Sequence, residues 1–129
     1  MPEFKLNKLV RDKLPDDYSR LDQVAKYKKL TPDEHKAELI SKIIEEAKEI
    51  EINGSIDGIK SEIADVKQAL DDLMKLYNIS PDEINTIRQN KFDKKGGFTY
   101  GIYVETIRLN DDDEWVKYYR ENSDIFSEV

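Results

Sequence analysis

The sequence contains no cysteine and only one histidine, His35. Without cysteine the chain cannot form disulfides, thiolate zinc sites or a cysteine nucleophile, and one histidine is too few for a histidine-rich metal cluster. Only 5 glycines and 4 prolines occur among the 129 residues, which disfavours a turn-rich β-sandwich. Any chemistry must therefore rest mainly on carboxylates, lysines and arginines.

Long apolar runs are also absent. No stretch approaches the roughly 20 apolar residues that span a bilayer, and the opening MPEFKLNKLVRDK lacks the apolar core of a signal peptide. The net charge of -7 disfavours nucleic acid as a partner, because such binding depends on neutralising phosphates with Lys and Arg. We expect a cytoplasmic protein with no membrane partner, built as a single domain over residues 1–129 with its core at about 31–98.

Two long helices dominate the pattern. The string TPDE at residues 31–34 supplies an N-cap, a proline at the first helical position and a capping-box Glu, so a helix is predicted from there to about Asn53, ended by Gly54. Apolar residues that recur every three or four positions predict a second helix from about residue 56 to 77. The short connection makes the two helices antiparallel neighbours.

The remaining segments carry weaker signals of secondary structure. Residues 4–14 predict a short helix ended by Pro15, and SPDE at residues 80–83 opens a helix to roughly Phe92. Residues 98–107 alternate like a β-strand, which must pair within the chain or with a second subunit. The predicted class is all-α: a helical bundle built on the antiparallel pair, with a short C-terminal strand and a tail over 99–129 that offers an oligomer contact.

Carboxylates recur on both long helices at a spacing of three residues. A step of about 100° per residue places Glu46 and Glu49 at the edge of the apolar stripe formed by Ala37, Ile40, Ile43, Ile44, Ala47 and Ile50, with Glu45 farther into solvent. Glu62 and Asp65 repeat the spacing on the second helix. Four converging carboxylates repel one another unless a cation compensates, and Mg²⁺ prefers such oxygen ligands. Judged on spacing alone, solvated helix faces explain these residues as well.

Three sequence strings resemble one family. EEAKE at residues 45–49 followed by EIAD at 62–65 is similar to the EExxE and ExxD signature of the MazG-related all-α nucleoside triphosphate pyrophosphohydrolases. KLVRDK at residues 8–13 and KKGGF at 94–98 resemble segments of the small house-cleaning members. The strings occur in the family's order and together span most of the chain.

The resemblance implies a function and a site. It implies hydrolysis of noncanonical nucleoside triphosphates to the monophosphate and pyrophosphate, with Mg²⁺ or, as a substitute, Mn²⁺. The implied metal ligands are Glu46, Glu49, Glu62 and Asp65, and we assign Glu46 as the catalytic base. The resemblance also implies homodimers or homotetramers.

Four basic residues are candidates for binding the substrate phosphates. Lys8 and Arg11 lie three residues apart, and arginine offers a bidentate fork to phosphate. Lys94 and Lys95 precede a glycine pair whose backbone N–H groups can face an anion. Ion pairing within the protein and a helix C-terminus that complements its dipole are the structural alternatives for these residues.

Three other functions stay open at the level of sequence. The same carboxylates are also compatible with a phosphoribosyl-ATP pyrophosphohydrolase or a dUTPase-like activity. The string KLVRDK, however, favours the house-cleaning members. A non-catalytic helical interaction protein would use the acidic faces only for solvation.

Overall fold

The computed structural model describes residues 1–129 and contains helices but no β-strand. The helices are α1 (Leu14–Arg20), α2 (Pro32–Lys48), α3 (Ile56–Leu76), α4 (Pro81–Lys95) and α5 (Trp115–Glu121). The predicted all-α class is confirmed. None of these helices combines the length and the apolar content needed to cross a bilayer. The chain divides into two compact units, Met1–Lys91 and Phe92–Val129.

The start of α2 follows the predicted capping box. The Thr31 hydroxyl accepts a hydrogen bond from the Glu34 backbone N–H at 3.4 Å, and the Glu34 carboxylate accepts one from the Thr31 N–H at 3.1 Å. The predicted end at Asn53 is wrong, because α2 stops at Lys48. The chain then turns, with the Gly54 N–H donating to the carbonyl of Glu51 at 3.0 Å. Gly54 closes that turn without adopting a positive φ.

Helix α3 matches its predicted limits. The Ser55 hydroxyl caps its first turn by accepting from the Gly58 N–H at 3.1 Å, and Tyr77 is the C-cap. Lys36, in the first turns of α2, places its Nζ 4.5 Å from the centre of the Tyr77 ring. The start of α2 therefore lies beside the end of α3, which confirms that the two helices are antiparallel. Their packing is the one extensive helix–helix contact of the chain.

The buried face of α2 differs from the predicted apolar stripe. Leu39 and Ala69 are the only apolar residues that are almost fully buried, at 3% and 5% exposure. Ile40 and Ile44, which belong to the predicted stripe, are 45% and 51% exposed. The contact line on α2 instead runs through Leu39 and Glu46, which are seven residues apart and so lie on one face.

The exposed apolar residues of the two helices lie on one side of the pair. On α2, Ile40 follows the buried Leu39, and on α3, Leu70 follows the buried Ala69, so each is rotated by about 100° from the contact line in the same sense. In an antiparallel pair of right-handed helices, equal rotations point to the same side. Ile44 and Ile63 extend the two stripes, which leaves a half-exposed apolar face on the pair.

Two predicted elements are absent. The helix expected over residues 4–14 is wrong, because residues 1–13 have no helix and α1 begins at Leu14 with Pro15 in its first turn. Proline is favoured at a helix start, where its missing N–H costs nothing, so Pro15 marks a beginning and not an end. The predicted strand over residues 98–107 is also wrong. A strand needs a partner for its backbone groups, and no other segment of this chain supplies one.

Helix α4 connects to the second unit and begins where predicted. The Ser80 hydroxyl accepts from the Glu83 N–H at 3.2 Å, and the helix continues past Phe92 to Lys95. Gly96 ends it in the left-handed region, with φ of 78°. In the second unit, α5 forms within the predicted tail, and its aromatic residues pack on one another and on Phe126. The centroid distances are 5.4 Å for Trp115–Tyr118, 5.6 Å for Tyr118–Tyr119 and 5.0 Å for Tyr119–Phe126.

Candidate metal centre

The four carboxylates predicted from the sequence meet at the α2–α3 contact. Ligand oxygens of Glu46, Glu62 and Asp65 all lie within 4.8 Å of one another, and so do those of Glu45, Glu46 and Glu49. Glu46 belongs to both groups and lies at the centre of the set. We call these five residues the carboxylate cluster.

Glu46 is the most buried charged residue of the protein, with 7% exposure. Its Oε1 lies 3.2 Å from Lys42 Nζ, but its Oε2 is buried without a hydrogen-bond partner. Glu62 Oε2 is also buried and unpartnered. Burying a carboxylate oxygen without a partner is unfavourable, and a cation between these two carboxylates would offset that cost.

The pKa of Glu62 reports the same shortage of positive charge. Burial of its carboxyl is the largest cause, followed by hydrogen bonds to Glu49 and Glu46 and by their negative charges, and together these raise the pKa to about 7. Glu62 therefore takes up a proton more readily than an ordinary glutamate does.

Lys42 is a member of the site that sequence reasoning missed. Its Nζ lies 3.4 Å from Glu45 Oε2 and 3.2 Å from Glu46 Oε1. Burial alone would lower the pKa of Lys42, but hydrogen bonds and charges from Glu46 and Glu45 outweigh it and raise the pKa. The spacing of three and four residues along α2 is the signal that predicts these pairs.

Two of the four predicted phosphate-binding residues contact the carboxylate cluster directly. An Nη2 of Arg11 donates to Asp65 Oδ1 at 2.5 Å, and Lys8 Nζ lies 3.6 Å from Glu45 Oε1. Both basic side chains remain largely exposed, at 62% for Arg11 and 47% for Lys8. The structure therefore joins Lys8 and Arg11 to the predicted metal ligands.

The other two predicted phosphate-binding residues lie in the last turn of α4. Lys94 and Lys95 are both exposed and precede Gly96. Their positive charges complement the negative end of the helix dipole. A role in phosphate binding stays a prediction for them.

The side chains around the cluster leave it short of positive charge. Five carboxylates, those of Glu45, Glu46, Glu49, Glu62 and Asp65, face three cations, those of Lys8, Arg11 and Lys42. Two negative charges are uncompensated when all the carboxylates are ionised, which is the charge of one divalent cation. The donor set consists of oxygens only, and Mg²⁺ or Mn²⁺ suits such a set. The residues present therefore fit a divalent cation.

The predicted exposures of Glu45 and Glu49 are reversed. Glu45 is half-buried and paired with two lysines, whereas Glu49 is exposed. Measured from the contact line through Leu39, a step of about 100° per residue puts Glu49 at about 80° and Glu45 at about 120°, so the helical angle does not explain this reversal. Glu49 is the C-cap of α2 and lies beyond its last turn, whereas Glu45 contacts the side chains of Lys8 and Lys42. Glu45 therefore belongs to the cluster, while Glu49 lies at its solvent edge.

A shallow depression adjoins the cluster at the α2–α3 connection. Glu49 and Glu62 border it, and the first turn of α3, with Ser55 and Gly58, forms its other wall. Solvent and a small ligand can reach the exposed edge of the cluster from this side. The cluster is thus partly buried at Glu46 and open at Glu49.

Comparison of the chain with protein-family models, with curated proteins and with solved structures finds no match. The chemistry of the cluster must therefore be inferred from its own residues. Those residues combine unpartnered carboxylate oxygens, a solvent-accessible edge and two exposed cations on a separate segment of the chain.

Proposed function

We propose that this protein is a Mg²⁺-dependent hydrolase that cleaves noncanonical nucleoside triphosphates to the monophosphate and pyrophosphate. The observation that carries the proposal is the pair of buried, unpartnered oxygens, Glu46 Oε2 and Glu62 Oε2, within a cluster of carboxylates. The resemblance of residues 45–49 and 62–65 to the EExxE and ExxD signature supports the choice of reaction.

In this proposal Glu46, Glu49, Glu62 and Asp65 hold the metal. Bound Mg²⁺ would neutralise the polyphosphate and lower the pKa of a coordinated water. Glu46 is the proposed acceptor of the proton from that water, since Lys42 holds its Oε1 while its Oε2 has no other partner. The Lys42 ammonium also limits rotation of the Glu46 carboxylate, which favours a fixed direction for proton transfer.

The proposed phosphate-binding residues are Lys8, Arg11, Lys94 and Lys95. Arg11 and Lys8 lie beside the cluster and carry exposed cationic groups, so they are close to any phosphate that binds a metal there. Lys94 and Lys95 are assigned from the resemblance of their segment to the KGGF string.

We also propose that the protein forms a homodimer or a homotetramer. The α2–α3 pair leaves a half-exposed apolar face that includes Ile40, Ile44, Ile63 and Leu70. Ile56, Ile63, Leu70 and Tyr77 repeat at intervals of seven residues, a spacing that favours packing against another helix. A second copy is the proposed occupant, because this face is apolar and two copies related by a two-fold axis present identical stripes to each other.

A pyrophosphate-release assay tests the reaction. Standard, deaminated, oxidised and methylated nucleoside triphosphates, dUTP and phosphoribosyl-ATP would be incubated with the protein, with and without Mg²⁺. We expect metal-dependent release of pyrophosphate from a noncanonical nucleotide, and an activity at least about 100-fold lower for Asp65→Asn. Asp71→Asn is the matched control, an exposed aspartate on the same helix. Full activity of Asp65→Asn would falsify the proposed site.

A structural role for the cluster is the second candidate. The pairs Arg11–Asp65, Lys8–Glu45 and Lys42–Glu46 already satisfy part of its charge, as they would in a non-catalytic interaction protein. This alternative predicts no binding of Mg²⁺ or Mn²⁺ in calorimetry at neutral pH. Preferred turnover of dUTP or phosphoribosyl-ATP in the nucleotide panel would instead select one of the related enzymes.

A further inference from the structure

The three cations that contact the carboxylate cluster are of two kinds. Lys42 belongs to α2 itself, three and four residues before Glu45 and Glu46, and its side chain is only 20% exposed. It therefore stays in place as long as the helix does. Lys8 and Arg11 lie instead on residues 1–13, which we call the N-terminal arm and which contain no helix.

The arm contacts the cluster through two ion pairs whose basic side chains are largely exposed. Arg11 pairs with Asp65 through a single Nη2–Oδ1 contact, although a guanidinium can make a two-point contact with a carboxylate. Lys8 reaches Glu45 at 3.6 Å. Exposed ion pairs of this kind add little to stability, so a divalent cation can displace them readily.

The same carboxylate serves both purposes. Asp65 accepts a hydrogen bond from Arg11 through Oδ1, and its carboxylate is also a candidate metal ligand together with those of Glu46 and Glu62. A guanidinium in contact with Asp65 and a cation bound to that carboxylate repel each other across a few ångströms. Occupation of the cluster by metal and docking of Arg11 on Asp65 therefore compete.

We propose that the N-terminal arm is a metal-responsive element whose cations partly neutralise the metal-free cluster, leave it when a divalent cation binds, and then bind the substrate polyphosphate. The inference rests on the proposed function and adds an order of events: metal first, nucleotide second. Leu9 and Val10 are half-buried while the charged side chains contact the cluster, and release of those contacts loosens the backbone around them.

The proposal predicts opposite effects of one substitution on the affinities for two ligands. Replacing Arg11 by Ala removes a competitor of the metal, so Mn²⁺ measured alone by calorimetry should bind roughly three- to tenfold more tightly. The same variant should bind a non-hydrolysable triphosphate analogue more weakly at saturating Mn²⁺, because a phosphate ligand is lost. Arg11→Lys retains the charge and should fall between Arg11→Ala and the unmodified chain in both measurements.

Lys13→Ala is the matched control, since it removes one positive charge from an exposed position of the same arm. It should change neither affinity by more than about twofold. Limited trypsin digestion gives a second, direct readout, in which cleavage after Lys8 and Arg11 should become several times faster on addition of Mn²⁺.

The outcomes separate the two proposals. Unchanged or weaker Mn²⁺ binding by Arg11→Ala, or equal shifts for Lys13→Ala, overturns the arm mechanism and leaves the metal site standing. Slower or unchanged trypsin cleavage with Mn²⁺ also overturns it. Absence of Mn²⁺ binding by the unmodified chain overturns the proposed function, and the arm mechanism with it.

Discussion

Glu46 and Glu62 come from two different helices, yet their ligand oxygens lie within 4.8 Å of each other, and each carboxylate keeps one buried oxygen without a partner. Burial of these two unpartnered oxygens costs free energy. A proton or a metal cation between the carboxylates would offset that cost. The stability of the fold should therefore depend on the ionic state of this pair.

Mg²⁺ should stabilise the protein. At about 100 times its Kd, a ligand that binds only the folded state raises the free energy of unfolding by about 2.7 kcal/mol. Glu62→Gln removes a metal ligand and a repelling charge together, so it should raise the melting temperature of the metal-free protein at pH 8 and abolish the stabilisation by Mg²⁺. Thermal unfolding with Mg²⁺ and with EDTA measures both effects. Asp71→Asn should leave the response to Mg²⁺ unchanged, and a Glu62→Gln protein that still responds contradicts the assignment.

The stability of the metal-free protein should fall as pH rises towards 7. The pKa of Glu62 is raised from its model-peptide value of 4.5 to about 7, mainly by burial and by its hydrogen bonds to Glu49 and Glu46. The folded state therefore favours the protonated form, and this stabilisation is complete below about pH 4.5 and is lost as pH rises through about 7. Denaturant titrations in EDTA between pH 5 and 8 measure the slope. Glu62→Gln should flatten it, and an unchanged slope would assign the dependence to other groups.

The capping box of α2 should contribute measurably to stability. Thr31→Ala removes the hydroxyl that accepts from the Glu34 N–H and should lower the free energy of unfolding by about 1 kcal/mol. Thr31→Ser keeps the acceptor and is the control. Urea denaturation distinguishes the two variants, and equal losses would show that the methyl group of Thr31, and not the cap, matters.

The apolar face of the α2–α3 pair should control self-association. Leu70→Glu places a charge within the stripe and should convert the proposed dimer or tetramer to monomers, as measured by sedimentation velocity. Asp71→Lys changes the charge at the next position, outside the stripe, and should leave the mass unchanged. An unmodified protein that sediments as a monomer at all concentrations contradicts the proposal.

Helix starts were predictable from the sequence, and helix ends were less so. Thr31-Pro32 and Ser80-Pro81 encode N-caps through local hydrogen bonds, which depend on three or four adjacent residues. The end of α2 depends instead on how the connection to α3 turns. Gly54 was predicted to end the helix, but it closes a turn within that connection. The segment 98–107 has a strand pattern but no partner strand, and pairing is not a local property.

The carboxylate cluster was predictable because its members follow helical spacing on two neighbouring helices. The side chains that surround the cluster were not predictable. Which stripe of α2 faces α3 is decided by the partner helix, and Leu39 is buried there in place of Ile40. Glu45 belongs to the cluster together with its ion pairs to Lys8 and Lys42, and Lys8 lies in a segment without helical periodicity. The contact of Arg11 with Asp65 joins residues that are 54 positions apart. Arg11 lies in a segment without helical periodicity, so no local signal predicts the contact.

The extensive contact between α2 and α3 joins helices that are separated by only the seven residues 49–55. Contacts so close in sequence require little loop closure, and domains dominated by them fold in microseconds to milliseconds. The α2–α3 hairpin should therefore form early and without help from other segments. It should bring the carboxylates together before the rest of the chain has folded. Amide hydrogens near Leu39 and Ala69 should then be the slowest to exchange with solvent, since these two residues are the most deeply buried of the hairpin.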